Sequence, residues 1–176
     1  MTRPSALPLA VAALLAGATP ALAAPISATP VAEGRVLILR PLSFVSVDEL
    51  DFGAVVSSTT AGTVTINANT GARSVAGGVT PMPIAPGGRG YFAGSGSASQ
   101  QVIVNLTPPI ELTNTTTTDT IPVVWMALDN GNVTATRTID PVALTFFVGV
   151  GGTILVAANQ PDGDYESTFL ITADYQ

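Results

Sequence analysis

The chain has 176 residues and a net charge of −6; 47% of its residues are hydrophobic, 10% are charged, and it contains no histidine and no cysteine. Without imidazole or thiolate, Ser-His-Asp and Cys-His nucleophilic sites are excluded, as are zinc sites built on those ligands and any disulfide framework. All six basic residues are arginines, set against twelve acids, so the surface repels nucleic acid and anionic lipid and neither is expected as a partner.

In chain order, Arg3, the Ala/Leu-rich run Ala6 to Ala18 and the small-residue step Ala21-Leu22-Ala23 read as an export signal, residues 1–23, cleaved after Ala23. The run is shorter than the ~20 apolar residues that a spanning helix needs. Cleavage leaves 153 residues carrying five arginines and twelve acids, enough for one core. The product is expected in the periplasm, at the cell surface or outside the cell. Residues 24–35 form a proline-broken extension whose apolar side chains, Ile26, Ala28 and Val31, suit an extended donor arm. Residues 36–176 form the body; the β-forming run Val36 to Leu39 could also serve as a donor, through Val36 and Ile38 or Leu37 and Leu39, but is expected to be the first strand of the body, which leaves the Ile26 arm as donor.

Period-two alternation then recurs without helical periodicity. Thr63 to Asn69 places Val64, Ile66 and Ala68 on one face, and Gln101 to Leu106 does the same with Val102, Val104 and Leu106. Gly87 to Gly96 lacks the Lys-Ser/Thr ending of a phosphate loop, so Tyr91 and Phe92 read as a strand with one aromatic turned inward. Thr113 to Thr120 has no apolar residue to bury and reads as an exposed loop. Ile121 to Leu128 is nearly all apolar, which predicts a central strand with Trp125 in the core. Asn130-Gly131 predicts a hairpin turn, with Val133 to Ile139 returning. Val142 to Ala158 is uncharged but broken by Gly149, Gly151 and Gly152, which predicts two strands joined by a glycine turn and no membrane span.

Two acidic clusters, Asp48/Glu49/Asp51 and Asp162/Asp164/Glu166, are the only candidates for chemistry. At strand edges and turns they read as solvated acids; a glycosidase pair or a calcium loop would need more than they offer. No catalytic residue, metal or cofactor is expected. The carboxyl terminus alternates cleanly, with Tyr165, Phe169, Ile171, Ala173 and Tyr175 on one face, and Gly163 supplies the turn before it. No later residue can cover the outer edge of that strand, so either an earlier segment or another chain must do so. Seven to nine strands without a helix predict an all-β, immunoglobulin-like two-sheet β-sandwich.

Arg40 to Gly53, ending in Leu50-Asp51-Phe52-Gly53, resembles the opening of a bacterial domain-of-unknown-function family, DUF4402. Gly151 to Leu155 and Gly163 to Gln176 resemble its close, and Tyr91-Phe92-Ala93-Gly94 an intermediate step. That family is similar in turn to spore-coat-U and chaperone–usher pilin domains. Such pilins carry a glycine fourteen residues from the end and a penultimate tyrosine, the places held here by Gly163 and Tyr175. The resemblance implies a pilin-like sandwich lacking one strand. A periplasmic chaperone and usher, and then the amino-terminal extension of a neighbouring copy or related subunit, would supply it. The implied function is a secreted structural subunit of a surface fibre or coat; the alternative is a monomeric secreted adhesin recognising glycans.

Overall fold

The computed structural model describes Ile26 and residues 33–176. The export segment 1–23, and Ala28 and Val31 of the arm, lie outside the described residues, while Ile26 is fully exposed. The chain divides into two units at Leu37/Ile38, and every strand belongs to the unit Ile38–Gln176.

The first strand is not Val36 to Leu39. Val36 and Ile38 are each 85% exposed, Leu37 is 72% exposed, and none belongs to a strand. Pro41 follows them; it has no N–H to give a ladder and it restricts Arg40. Pairing therefore starts beyond it, with β1 (Ser43–Asp48) against β6 (Gly90–Ser95).

The described residues contain thirteen strands, all paired antiparallel, and no helix. The largest sheet has eight strands. Its main path runs β1, β6, β11 (Thr145–Val156), β9 (Thr120–Leu128), β8 (Glu111–Asn114) and β12 (Tyr165–Glu166). A hairpin of β3 (Gly62–Ile66) and β4 (Arg73–Gly77) joins it through β11. The second sheet orders β10 (Thr134–Thr138), β7 (Gln101–Thr107) and β13 (Leu170–Tyr175), and a short ribbon pairs β2 (Val55–Val56) with β5 (Thr80–Pro81).

Alternation sets the faces as expected. Val64 and Ile66 on β3, and Val102, Val104 and Leu106 on β7, are buried. One apolar cluster joins Val102, Val104 and Leu106 to Phe92, Met126, Leu128, Phe146, Val148 and Val150 from the large sheet. A second gathers Val64, Ile66, Ile121, Ile154 and Val156 under Phe52 and Val79. Leu50 and Val123 pack against both.

Val142 to Ala158 departs from its two-strand expectation: β11 is one strand of twelve residues. It pairs with β9 along one edge, and with β6 and then β3 along the other. Its glycines make room. A Cβ on Gly149 would meet the Ala68 carbonyl, and one on Gly151 would meet the backbone of Ile66 and Ala68. The chain leaving β3 thus crosses β11, and Asn69 Nδ2 fastens the crossing to the Asp129 carbonyl at 2.8 Å. The glycines are a close approach of backbones, not a turn.

Gly131 does turn the chain, at φ 81°, but the returning strand β10 leaves the large sheet and pairs with β7 instead of β9. Arg137 on β10 reaches back, donating to the Phe147 carbonyl at 3.2 Å and pairing with Asp129, so this seam between the two sheets is tied. Trp125 also departs from expectation. In register with Thr153, it lies on the outer face of the large sheet, 45% exposed, because its inward neighbour Met126 takes the core position.

Candidate functional site

The opposite seam is open. β13 pairs with β7 over Leu170↔Thr107 to Tyr175↔Val102, and its other edge has no strand partner among the described residues. Its inward side chains Ile171, Ala173 and Tyr175, with Phe169 just before it, are only half-buried although they pack on the first cluster. Phe169 meets Phe92 edge-on at 6.0 Å. Beside them a groove of about 1050 Å³ runs between Phe169 and Ile171 on one wall and Leu50 to Val56 on the other. Ile121, Met126, Ile154 and Val156 form its apolar floor; Met126 also packs in the first cluster, while the other three belong to the second.

Local chemistry builds the far wall from the Leu50-Asp51-Phe52-Gly53 motif. Asp51 exchanges backbone hydrogen bonds with Gly88, and its carboxylate accepts the Gly53 N–H at 2.7 Å. Gly53 holds φ 72° where a Cβ would meet Arg73 Nη1 and the Ala85 carbonyl, so only glycine fits while Phe52 swings into the core. Arg73 then donates to the carbonyls of Ala54, Met82 and Ala85 at 3.1, 2.9 and 2.9 Å, fixing the loop behind that wall. A smaller hollow of about 340 Å³ lies beside Arg73, whose guanidinium those carbonyls occupy.

The terminal segment does not run as one strand. Tyr165 lies on β12, which pairs with β8 in the large sheet, and the chain then changes sheets before β13. Tyr165 accordingly packs on the second cluster and Phe169, Ile171, Ala173 and Tyr175 on the first. Thr113 and Thr120, expected in a loop, are strand residues of β8 and β9. The exposed turn between them hangs on buried Asn114, whose Oδ1 accepts the N–H groups of Thr116 and Thr117 at 2.9 and 3.1 Å. Gly163, at φ 141°, passes against that side chain where a Cβ would meet Asn114 Nδ2.

Tyr175 locks the end of β13. Its hydroxyl donates to the Arg40 carbonyl and accepts the Ser97 N–H, both at 2.8 Å. Tyr175→Phe leaves that amide without its acceptor and is expected to cost about 1–3 kcal/mol. A melting temperature lower by about 5 °C in thermal denaturation would register the loss.

The two acidic clusters, distant in sequence, converge. Glu49 and Asp51 from one and Asp162, Asp164 and Glu166 from the other all border the groove, whereas Asp48 does not. Periodicity cannot reveal this convergence, which depends on the sheet change after β12. Among the described residues no three His, Cys, Asp or Glu side chains form a metal cage, and no helix is long and apolar enough to cross a membrane. Elsewhere, Asp140 has its carboxyl held below the usual range because it accepts the N–H groups of Ala143 and Val142.

The fold and site define an all-β antiparallel domain with an acidic-rimmed groove, apolar on its floor, beside the start of its terminal strand. Residues 42–175 match the family model described as "Domain of unknown function (DUF4402)", and the chain belongs to that family. No curated protein and no solved structure matches it.

Proposed function

We propose that this chain is an exported structural subunit of a bacterial surface fibre or coat, assembled by β-strand complementation. One observation carries the reading: a groove of about 1050 Å³, apolar on its floor and acidic at its rim, beside the start of a terminal strand whose outer edge has no partner among the described residues. A strand laid there would pair its backbone with β13 and bury alternate side chains in the groove. On this reading the eight- and three-stranded sheets are the faces of an immunoglobulin-like, pilin-like sandwich one strand short. Residues 1–23 direct export, a periplasmic chaperone with its usher protects the groove, and another subunit fills it. Gly163 and Tyr175, at the places such pilins give to glycine and tyrosine, support the likeness. Each apolar side chain buried there gains about 1.5–3 kcal/mol before ordering costs, so two contribute roughly 3–6 kcal/mol beside the backbone pairing, enough to matter for assembly.

The exported material, run unboiled and boiled on a denaturing gel, tests this. A ladder that collapses to one band on boiling is the expected result. A single band under both conditions, from a monomer at every concentration, would refute assembly. That outcome favours a second reading, a glycan-binding adhesin, which draws on Trp125 and Phe147, 45% and 47% exposed on the outer face of the large sheet. It predicts retention on polysaccharide columns, lost on Trp125→Ala.

A further inference from the structure

Within the strand-complementation reading, on which this inference rests, we infer that the groove's occupant is the segment Arg35–Leu39 of a second copy, with Val36 and Ile38 entering the groove. This replaces the Ile26 arm as donor. The run Arg35-Val36-Leu37-Ile38-Leu39-Arg40 sets four β-forming apolar residues between two arginines. Val36 and Ile38 are each 85% exposed and lie in no strand of their own chain, which leaves them available to another. Arg40 is held by its own chain, its N–H by Ser97 Oγ and its carbonyl by the Tyr175 hydroxyl, so the paired stretch ends at Leu39; its roughly 16 Å suit the start of β13, where Ile171 lines the groove.

Charge selects the same segment. Five carboxylates border the groove, and the sequence has no lysine or histidine to meet them. The body's other arginines are committed: Arg73 to backbone carbonyls, Arg89 to the Asn69 carbonyl and the Tyr91 ring, and Arg137 to Asp129. Arg35 and Arg40 flank the apolar run itself. Among the described residues Arg35 pairs with Glu33 alone, through side chains 86% and 68% exposed, an ion pair weak enough to exchange for the rim. In the arm of residues 24–35, the stretch 24–32 that carries Ile26, Ala28 and Val31 has no cationic side chain.

Three forms of the exported chain test this by sedimentation velocity: the parent, Ile26→Asp/Val31→Asp, and Val36→Asp/Ile38→Asp. The parent and the first variant should polymerise alike, and the second should associate at least a hundredfold more weakly. A synthetic peptide of residues 33–42 should bind that second variant one to one, raise its melting temperature and weaken about tenfold between 50 and 500 mM salt. If Val36→Asp/Ile38→Asp polymerises normally and the Ile26 variant does not, the donor assignment is wrong while strand complementation stands. A parent chain that stays monomeric and ignores the peptide would defeat both.

Discussion

Gly151→Val should be the most damaging single substitution in the body, costing about 4 kcal/mol or more and lowering the melting temperature by at least about 10 °C. Gly151 sits at the middle of β11, where the edge partner changes from β6 to β3. The chain leaving β3 passes over it, and a Cβ there would meet the Ile66 carbonyl oxygen and the Ala68 nitrogen. Backbone cannot rotate aside as a side chain can. Either the crossing lifts, which exposes Ala68 and strains the Asn69 bond to Asp129, or β11 bends and loses ladder bonds on both edges. Gly88→Ala is the matched control. Nothing lies within 4 Å of a Cβ built on Gly88, so its cost should stay within about 0.5 kcal/mol. Equal melting temperatures for the two variants would show that the crossing is not rigid.

The same glycines mark where reading the sequence stopped short. Alternation in Gln101 to Leu106 or Thr63 to Asn69 gives the face of each residue, because successive Cβ atoms point to opposite sides whatever the partner. It does not name the partner. Val133 to Ile139 was legible as a strand after an Asn-Gly turn, yet β10 pairs with β7, a choice made by Arg137 and the packing of Ala135 and Ile139. Glycine permits both a turn and a close backbone approach, and only the approach of Ala68 decides which applies at Gly149 and Gly151. Trp125 misled because an apolar run hides which member faces outward. In the site, the facing of Phe169, Ile171, Ala173 and Tyr175 was legible from local alternation. The meeting of Glu49 and Asp51 with Asp162, Asp164 and Glu166 was not, since it joins segments more than a hundred residues apart.

Phe169→Glu should separate assembly from folding. Phe169 is half-buried, touching Phe92 by one edge while its remaining surface lines the groove. Losing the aromatic contact and half a side chain's burial, with a carboxylate added near the acidic rim, costs the isolated body about 2–3 kcal/mol, which the melt reports separately. An incoming strand, however, loses apolar contact and meets an added carboxylate that it must bury beside an already acidic rim. Together these are worth about 4 kcal/mol, roughly a thousandfold in subunit affinity. Leu170→Glu, on the outward face and 61% exposed in the same segment, should leave both folding and association nearly unchanged. Sedimentation velocity over a concentration series, with a thermal melt of each variant, makes the comparison. At a temperature where the melt shows Phe169→Glu still folded, loss of association in that variant alone traces to the groove, and unchanged polymers would mean that the subunits meet through another surface.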